Sequence, residues 1–193
     1  GLNVADGGLL SWNPSTDGTV FAIAGSGSTV YVGGAFGEVN GDPHPLLAAI
    51  NANDSTVSSW DPAITSSCYD QCAVKALTVS GTTLYVGGDI NMAGGQSRWG
   101  VASFDTGTGL LTSWAPDAVG GQVESILISG STAYIGGAFT ELGGELRSYA
   151  GAVDATTGAL ASWDPQVNGG VFTLSISGST IYMGGPFTSA GGQ

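Results

Sequence analysis

Positive charge is almost absent from this chain: three lysines and arginines and one histidine stand against fifteen aspartates and glutamates, for a formal charge of −12. A surface this acidic repels phosphate backbones and anionic headgroups, so neither nucleic acid nor membrane insertion is expected. Long hydrophobic runs are missing too. No apolar stretch approaches the roughly 20 residues that a bilayer-spanning helix requires, and no segment has a convincing helical period. Cysteine is scarce. Cys68 and Cys72 share the stretch Cys68-Tyr-Asp-Gln-Cys72, with no second pair and no histidine nearby to complete a zinc site. The expectation is a local disulfide that orders one loop, contributing about 2 kcal/mol on the chain-entropy argument. Such a bridge indicates an oxidising compartment, so the chain reads as secreted or displayed on a cell surface. Its first residue is not Met and opens no signal sequence, which suggests a mature chain or a fragment.

What the chain has in excess is glycine, 34 of 193 residues, and the glycines recur at fixed places. Tyr-[Val/Ile/Met]-Gly-Gly occurs at Tyr31, Tyr85, Tyr134 and Tyr182, and Ser-Trp-x-Pro surrounds Trp12, Trp60, Trp114 and Trp163. The tryptophans step by 48, 54 and 49 residues. A period in that range marks a propeller or a solenoid array.

Laid over one another, the copies show four short segments bounded by turn residues. The first starts at Val20, Val74, Val123 and Val171 and is apolar and β-branched. A Ser-Gly turn leads to the Tyr-x-Gly-Gly segment, giving a tight hairpin. The third holds small residues (Ala48, Ala49, Ala102, Gly151, Ala152) and ends at Asn51, Asp105 and Asp154, which start the next turn. The fourth carries Ser-Trp. The predicted class is all-β: a β-propeller of four-stranded antiparallel blades, with units at about residues 1–45, 46–99, 100–148 and 149–193. Aligning Gly1 with Gly100 and Gln193 with Gln96 makes the chain begin and end inside a blade. Four blades then close on themselves, or the chain is a slice of a longer propeller.

An apolar strand ending in Gly-Gly, an Asp-containing hairpin and then Trp resembles the kelch type of propeller blade. The fuller pattern of Tyr-Val-Gly-Gly-x-Phe, Gly-Gly or Asn-Gly, Ala-Ala-Ile/Val-Asn/Asp, Thr-Gly and Ser-Trp-Asp-Pro is similar to the bacterial delta-sixty repeats of secreted and surface proteins. The likeness covers nearly the whole chain and implies a fold. It carries over no catalytic residues. The second unit departs from the pattern with Asp89-Ile90 in place of Ala35-Phe36, Ala138-Phe139 and Pro186-Phe187.

In an up-and-down blade the loops after the second and fourth strands emerge on one face. His44, Arg98 and Arg147 fall in register there, two positions before the third strand, so every basic or potentially basic side chain except Lys75 occupies one structural position. With Trp99 and Tyr149 they form a candidate rim for an anion or a carboxylate. The competing reading is that each arginine bonds loop carbonyls or a neighbouring aspartate. The longest loop of this face runs from Pro62 to Val74 and presents Tyr69 and Asp70 beside the cysteines, a second candidate contact. Asp105-Thr-Gly looks like an aspartic protease tripeptide, but its equivalents at Asp154 and Asn51 lie in the same turn. His44 has no triad company. Calcium is conceivable at Asp54, Asp61, Asp89, Asp117 or Glu141, although no run has a known loop spacing. No other cofactor is indicated.

These features lead to a non-catalytic binding or structural module, contacting protein or glycan through the loop face and open to self-association in a surface assembly. Two alternatives stand beside it. One is a lectin-like propeller with shallow sugar sites. The other is an extracellular polysaccharide hydrolase or lyase whose residues converge from several blades.

Overall fold

The structure, a computed structural model, describes residues 1–66 and 72–192. It is all-β and antiparallel, with no helix among those residues. The first full unit consists of β1 (Thr19–Ser26), β2 (Thr29–Ala35), a small hairpin of β3 (Glu38–Val39) and β4 (Asp42–Pro43), and β5 (Leu47–Asn51). The second repeats this as β6 (Val74–Ser80), β7 (Thr83–Gly88), β8 (Met92–Ala93), β9 (Gln96–Ser97) and β10 (Val101–Asp105). The third adds β11 (Ala118–Val119) ahead of β12 (Val123–Ser129), β13 (Thr132–Gly137), β14 (Glu141–Leu142), β15 (Glu145–Leu146) and β16 (Ala150–Asp154). The fourth holds β17 (Thr173–Ser177) and β18 (Thr180–Gly184). In each of the first three units the Tyr-x-Gly-Gly strand is central, as in the sheets β1-β2-β5, β6-β7-β10 and β12-β13-β16.

Two expectations need correction. The fourth strand is no strand but a single bridge, Ile50 with Val57, Phe104 with Leu111 and Val153 with Leu160. Its ladder ends because side chains capture the next donors: Trp60 N–H donates to the Ser58 hydroxyl at 3.1 Å and Trp114 N–H to that of Thr112 at 3.2 Å. Local bonds of this kind compete with a sheet, and the proline that follows cannot rejoin one. The alignment of Gly1 also shifts. Leu10 N–H donates to the Gly1 carbonyl as Thr112 N–H does to Ser103 and Ala161 N–H to Ala152. Gly1 therefore matches Ser103 near the end of a third strand, not Gly100 at its start.

The small hairpins went unread in the sequence. They turn on left-handed pairs, Asn40-Gly41 (φ 54° and 86°), Gly94-Gly95 (54° and 74°) and Gly143-Gly144 (62° and 80°), the geometry that two-residue hairpin loops demand. Each takes a partner from the loop that enters its unit, through the bridges Thr16 with Val39 and Thr65 with Met92 and through β11 against β14. Both sets of loops thus share one end of the array.

The sheets stack in chain order, β1 on β6, β6 on β12 and β12 on β17. The packing rule is written in the tetrad. Its first glycine faces a valine of the next sheet: a Cβ on Gly33 would overlap Val74, and on Gly87 and Gly136 it would lie 2.6 Å from Val123 and 2.8 Å from Val171. These valines are fully buried. The second glycine, Gly34, Gly88 or Gly137, lies against a carbonyl at the entry to its own first strand, that of Thr19, Ala73 or Gln122. Fully burying a valine is worth about 1.5–3 kcal/mol, so three such contacts carry much of the stacking energy.

The third-strand turns are held by carboxylates. Asp105 accepts from Thr108 N–H at 2.8 Å, Thr108 hydroxyl at 2.8 Å and Gly107 N–H at 3.1 Å, and Asp154 is bonded alike by Thr156 and Thr157. The donors, foremost the backbone N–H of Thr108 and of Thr157, hold both carboxyls below the usual range. The Asp105-Thr-Gly tripeptide is a turn.

Two outcomes are expected. Gly87→Ala lowers stability by about 1–3 kcal/mol through overpacking against Val123, and thermal melting of G87A, V123A and the double variant shows coupling between the sites. Because the Asp105 and Asp154 pKa values are depressed on folding, their contribution is present above the unfolded value near pH 4 and vanishes as pH falls through the folded value. Denaturant melts from pH 6 to pH 2 therefore show a flatter acid limb for D105N/D154N than for the parent.

Candidate functional site

The structure keeps His44, Arg98 and Arg147 in one register, since their N–H groups donate to Gly37, Asn91 and Thr140 respectively. It also commits the guanidinium groups. Arg98 is only 7% exposed and donates to Ser97 O at 2.8 Å, Thr112 O at 3.0 Å and Gln96 Oε1 at 3.3 Å. Arg147 donates to Trp163 O at 2.8 Å and Ala161 O at 3.3 Å, and its Nε stands 3.6 Å from Asp164. Thr112 and Ala161 are equivalent residues, so each arginine fastens the fourth segment of its own unit where the ladder stops. The two cations do not converge.

Trp99 is 44% exposed and borders a hollow of about 240 Å³ with Asp89, Asn91 and Gly120. Tyr149 is half-buried and left-handed (φ 69°), as are its equivalents Leu46 (69°) and Gly100 (72°). In all three the residue's carbonyl accepts from a tetrad glycine, which explains the conformation as the entry to the third strand. Trp99 and Tyr149 are one position out of register and belong to different units. Cys68, Tyr69 and Asp70 lie outside the described residues. Cys72 is half-buried, and no free cysteine occurs among the described residues. Three of the five acidic candidates for calcium accept local hydrogen bonds, Asp54 from Thr56, Asp61 from the N–H of Ala63 and Asp117 from the N–H of Trp99. Among the described residues no three His, Cys, Asp or Glu side chains gather as a metal site.

A row of bulges marks the first strand of each of the first three units. The pairing of β1, β6 and β12 slips at Phe21, Lys75 and Glu124, and Phe172 holds the same place ahead of β17. A bulge re-aims one side chain out of the ladder. Here it lets Lys75 reach Glu124 at 2.8 Å across two sheets, with Gln122 bonded to the same carboxylate at 2.6 Å. Burial raises the Asp89 carboxyl above its usual range, against the pull of Lys75 and with the push of Glu124.

The site that sequence reasoning missed lies at the opposite end, between the first two sheets. It is a cavity of about 410 Å³ lined by Tyr31, Trp60, Phe104, Ser58, Asn51, Asp105 and Thr108 among others. A volume in this range suits a small ligand, and the wall combines the three rings with the polar side chains of the two turns. Its origin is one substitution in the repeat. Phe104 stands where the other units have Ile50 and Val153, and it meets Trp60 edge to face at 5.3 Å. The indoles of Trp12 and Trp114 donate to the carbonyls of Asn51 and Asp154, at the start of the next unit's turn. Trp60, crowded by the larger ring, donates instead to Gly109 at the far end of that turn, at 2.8 Å. Space opens behind it.

Among the described residues one tetrad tyrosine has a bonded hydroxyl: Tyr85 donates to Ala155 O at 2.9 Å across the neighbouring interface. Among the described residues the Tyr31 hydroxyl has no such partner, and the residue lines the cavity. Burial, then the Asp105 charge, raises its phenol above the ordinary value, so it is a neutral donor throughout the neutral range.

No protein-family model and no curated protein matches the chain. Among solved structures it is similar to the computationally designed Ika4 protein, with a TM-score of 0.59 at 16% identity over 90% of this chain and 93% of that one. That likeness concerns the fold alone. The computationally designed Ika8 protein gives a TM-score of 0.45 at 17% identity, covering 86% of this chain and 55% of that one, too distant to carry an argument.

Tyr85→Phe strands the Ala155 carbonyl and costs about 1 kcal/mol, whereas Tyr31→Phe stays within about 0.5 kcal/mol of the parent. Parallel urea melts of the two variants measure the contrast. Equal losses would show the Tyr31 hydroxyl bonded after all.

Proposed function

We propose that the chain is a segment of a β-propeller, of the kelch-like or delta-sixty kind its motifs resemble, acting as a secreted or cell-surface binding module without catalysis of its own. Its ligand site is the cavity between the first two sheets, and the ligand class is an uncharged saccharide. The observation that carries this reading is the open Tyr31 hydroxyl in a cavity that holds three rings and two polar turns, where the equivalent Tyr85 is consumed by the scaffold. Sugars offer an apolar face to rings such as Trp60 and Tyr31 and a ring of hydroxyls to Asp105, Asn51 and Thr108. The acidic chain disfavours an anionic ligand. Pairing of Cys72 with Cys68 belongs to the same reading, since it places the protein in an oxidising compartment.

Screening on a glycan array followed by calorimetry tests it. Tyr31→Phe, with unchanged melting, weakens binding of the sugar that scores about tenfold, the loss of one good hydrogen bond, and Trp60→Ala abolishes it while also lowering the melting temperature. Absence of any glycan binding at millimolar sugar overturns the saccharide reading.

A further inference from the structure

Two departures of the second unit from the repeat meet at one place. Asp89 stands where the other units have Ala35, Ala138 and Pro186, and Trp99 stands where they have Pro45 and Ser148. Both line the hollow of about 240 Å³ at the loop end, between the second and third units. Each of those units has a sheet stacked on either side of it, so the hollow is interior to the array.

The wall opposite Asp89 is bare backbone. Gly120 takes the place that Asp17 and Asn168 hold ahead of the first strand in their units, where those side chains accept from the N–H groups of Gly37 and Thr188. A Cβ on Gly120 would overlap the Thr140 hydroxyl, and one on Gly121 the Ala138 carbonyl. Among the described residues Asp89 is therefore the one charged side chain in the lining.

That charge is unspent. Among the described residues the Asp89 carboxylate accepts no hydrogen bond. Lys75, whose field reaches it, is already engaged with Glu124 at 2.8 Å, so these three groups sum to one negative charge. Burial acts most strongly on Asp89 and raises its pKa, while Lys75 pulls it down and Glu124 pushes it up. A half-buried carboxylate without a partner is costly and gains from a cation. Trp99 supplies the other half of a cation site. It is an exposed indole outside the ring pairs of the fold, and the face of an indole attracts an ammonium group.

We infer that this hollow is a second binding site, separate from the cavity of the first two sheets, and that it takes a small organic ammonium ion. The charge of the ligand faces Asp89 and its carbon groups lie against Trp99. The lining opposes the other charged ligands. A single carboxylate falls short of the six to eight oxygens that calcium takes, and an anion would meet Asp89 with nothing basic in the wall. The acidic chain draws cations toward the site.

Calorimetric titration of the 193-residue chain tests the site with four probes: choline, n-butylammonium, the uncharged choline isostere 3,3-dimethylbutanol, and calcium chloride. One of the two ammonium ions binds at one site per chain, at least tenfold more tightly than the uncharged isostere, the effect of a charge pair and a cation–π contact together. Asp89→Ala and Trp99→Ser each weaken that binding at least tenfold. Both substitutions restore residues that sister units carry at these places, and Asp89→Asn repeats the first with the shape of the side chain kept. Tyr31→Phe leaves ammonium binding unchanged, which separates this site from the cavity. The choice between choline and butylammonium tells a quaternary from a primary ammonium ligand. Absence of binding by either ion up to about 10 mM overturns the proposal. So does equal binding of the uncharged isostere, binding that survives both Asp89 substitutions, or calcium that displaces the ammonium ion at lower concentration.

Discussion

The fold depends on a close approach that only glycine permits. A strand whose side chains alternate can take another sheet at about 10 Å; omitting one side chain at Gly33, Gly87 and Gly136 lets a valine of the next sheet seat against the backbone itself. Everything else is arranged around that seat. The second tetrad glycine admits the carbonyl of the bulged strand, and the bulge frees Phe21, Lys75 and Glu124 from the ladder. In the third strand Gly151 likewise leaves room for Leu142 and for the stem of Arg147. Two hydrogen atoms in the place of two side chains thus set the sheet spacing, the bulge and the row of re-aimed residues.

The same economy explains why the chain is so poor in cations yet uses two of its three so deeply. Arg98 and Arg147 finish a ladder that the Ser-Trp-x-Pro segment breaks off, taking carbonyls that a longer fourth strand would have paired. A buried backbone acceptor without a partner is costly, and a charged donor is a strong remedy. In the third unit Asp164 stands beside Arg147; in the second the corresponding residue is Ala115, and Gln96 serves Arg98 instead.

The repeat, the strand order within a unit, the Asx turns and the shared loop end were legible because each leaves a periodic or chemical trace: Tyr-x-Gly-Gly, Asp-x-x-x-Gly, a register of basic residues. What stayed hidden lacks such a trace. The Asn40-Gly41 and Gly94-Gly95 hairpins are two residues on a side and too short to show alternation. The fourth strand reads as one, because Trp and β-branched neighbours favour a sheet, until the Ser58 and Thr112 hydroxyls are seen taking the next N–H. The cavity was least visible. It follows from Phe104 against Ile50 and Val153, a difference between units that a search for sameness passes over. The basic register was read correctly as a position, while its partners became apparent only when the carbonyls were in place.

Every Trp bond points the same way along the chain: the indole of one unit donates to the turn of the unit after it, from Trp12 to Asn51, Trp60 to Gly109 and Trp114 to Asp154. The array is therefore a polar object with nearest-neighbour couplings. An in-frame duplication of one whole unit would insert a module whose two faces are already correct, whereas an insertion of half a unit would orphan a tetrad glycine and an indole together.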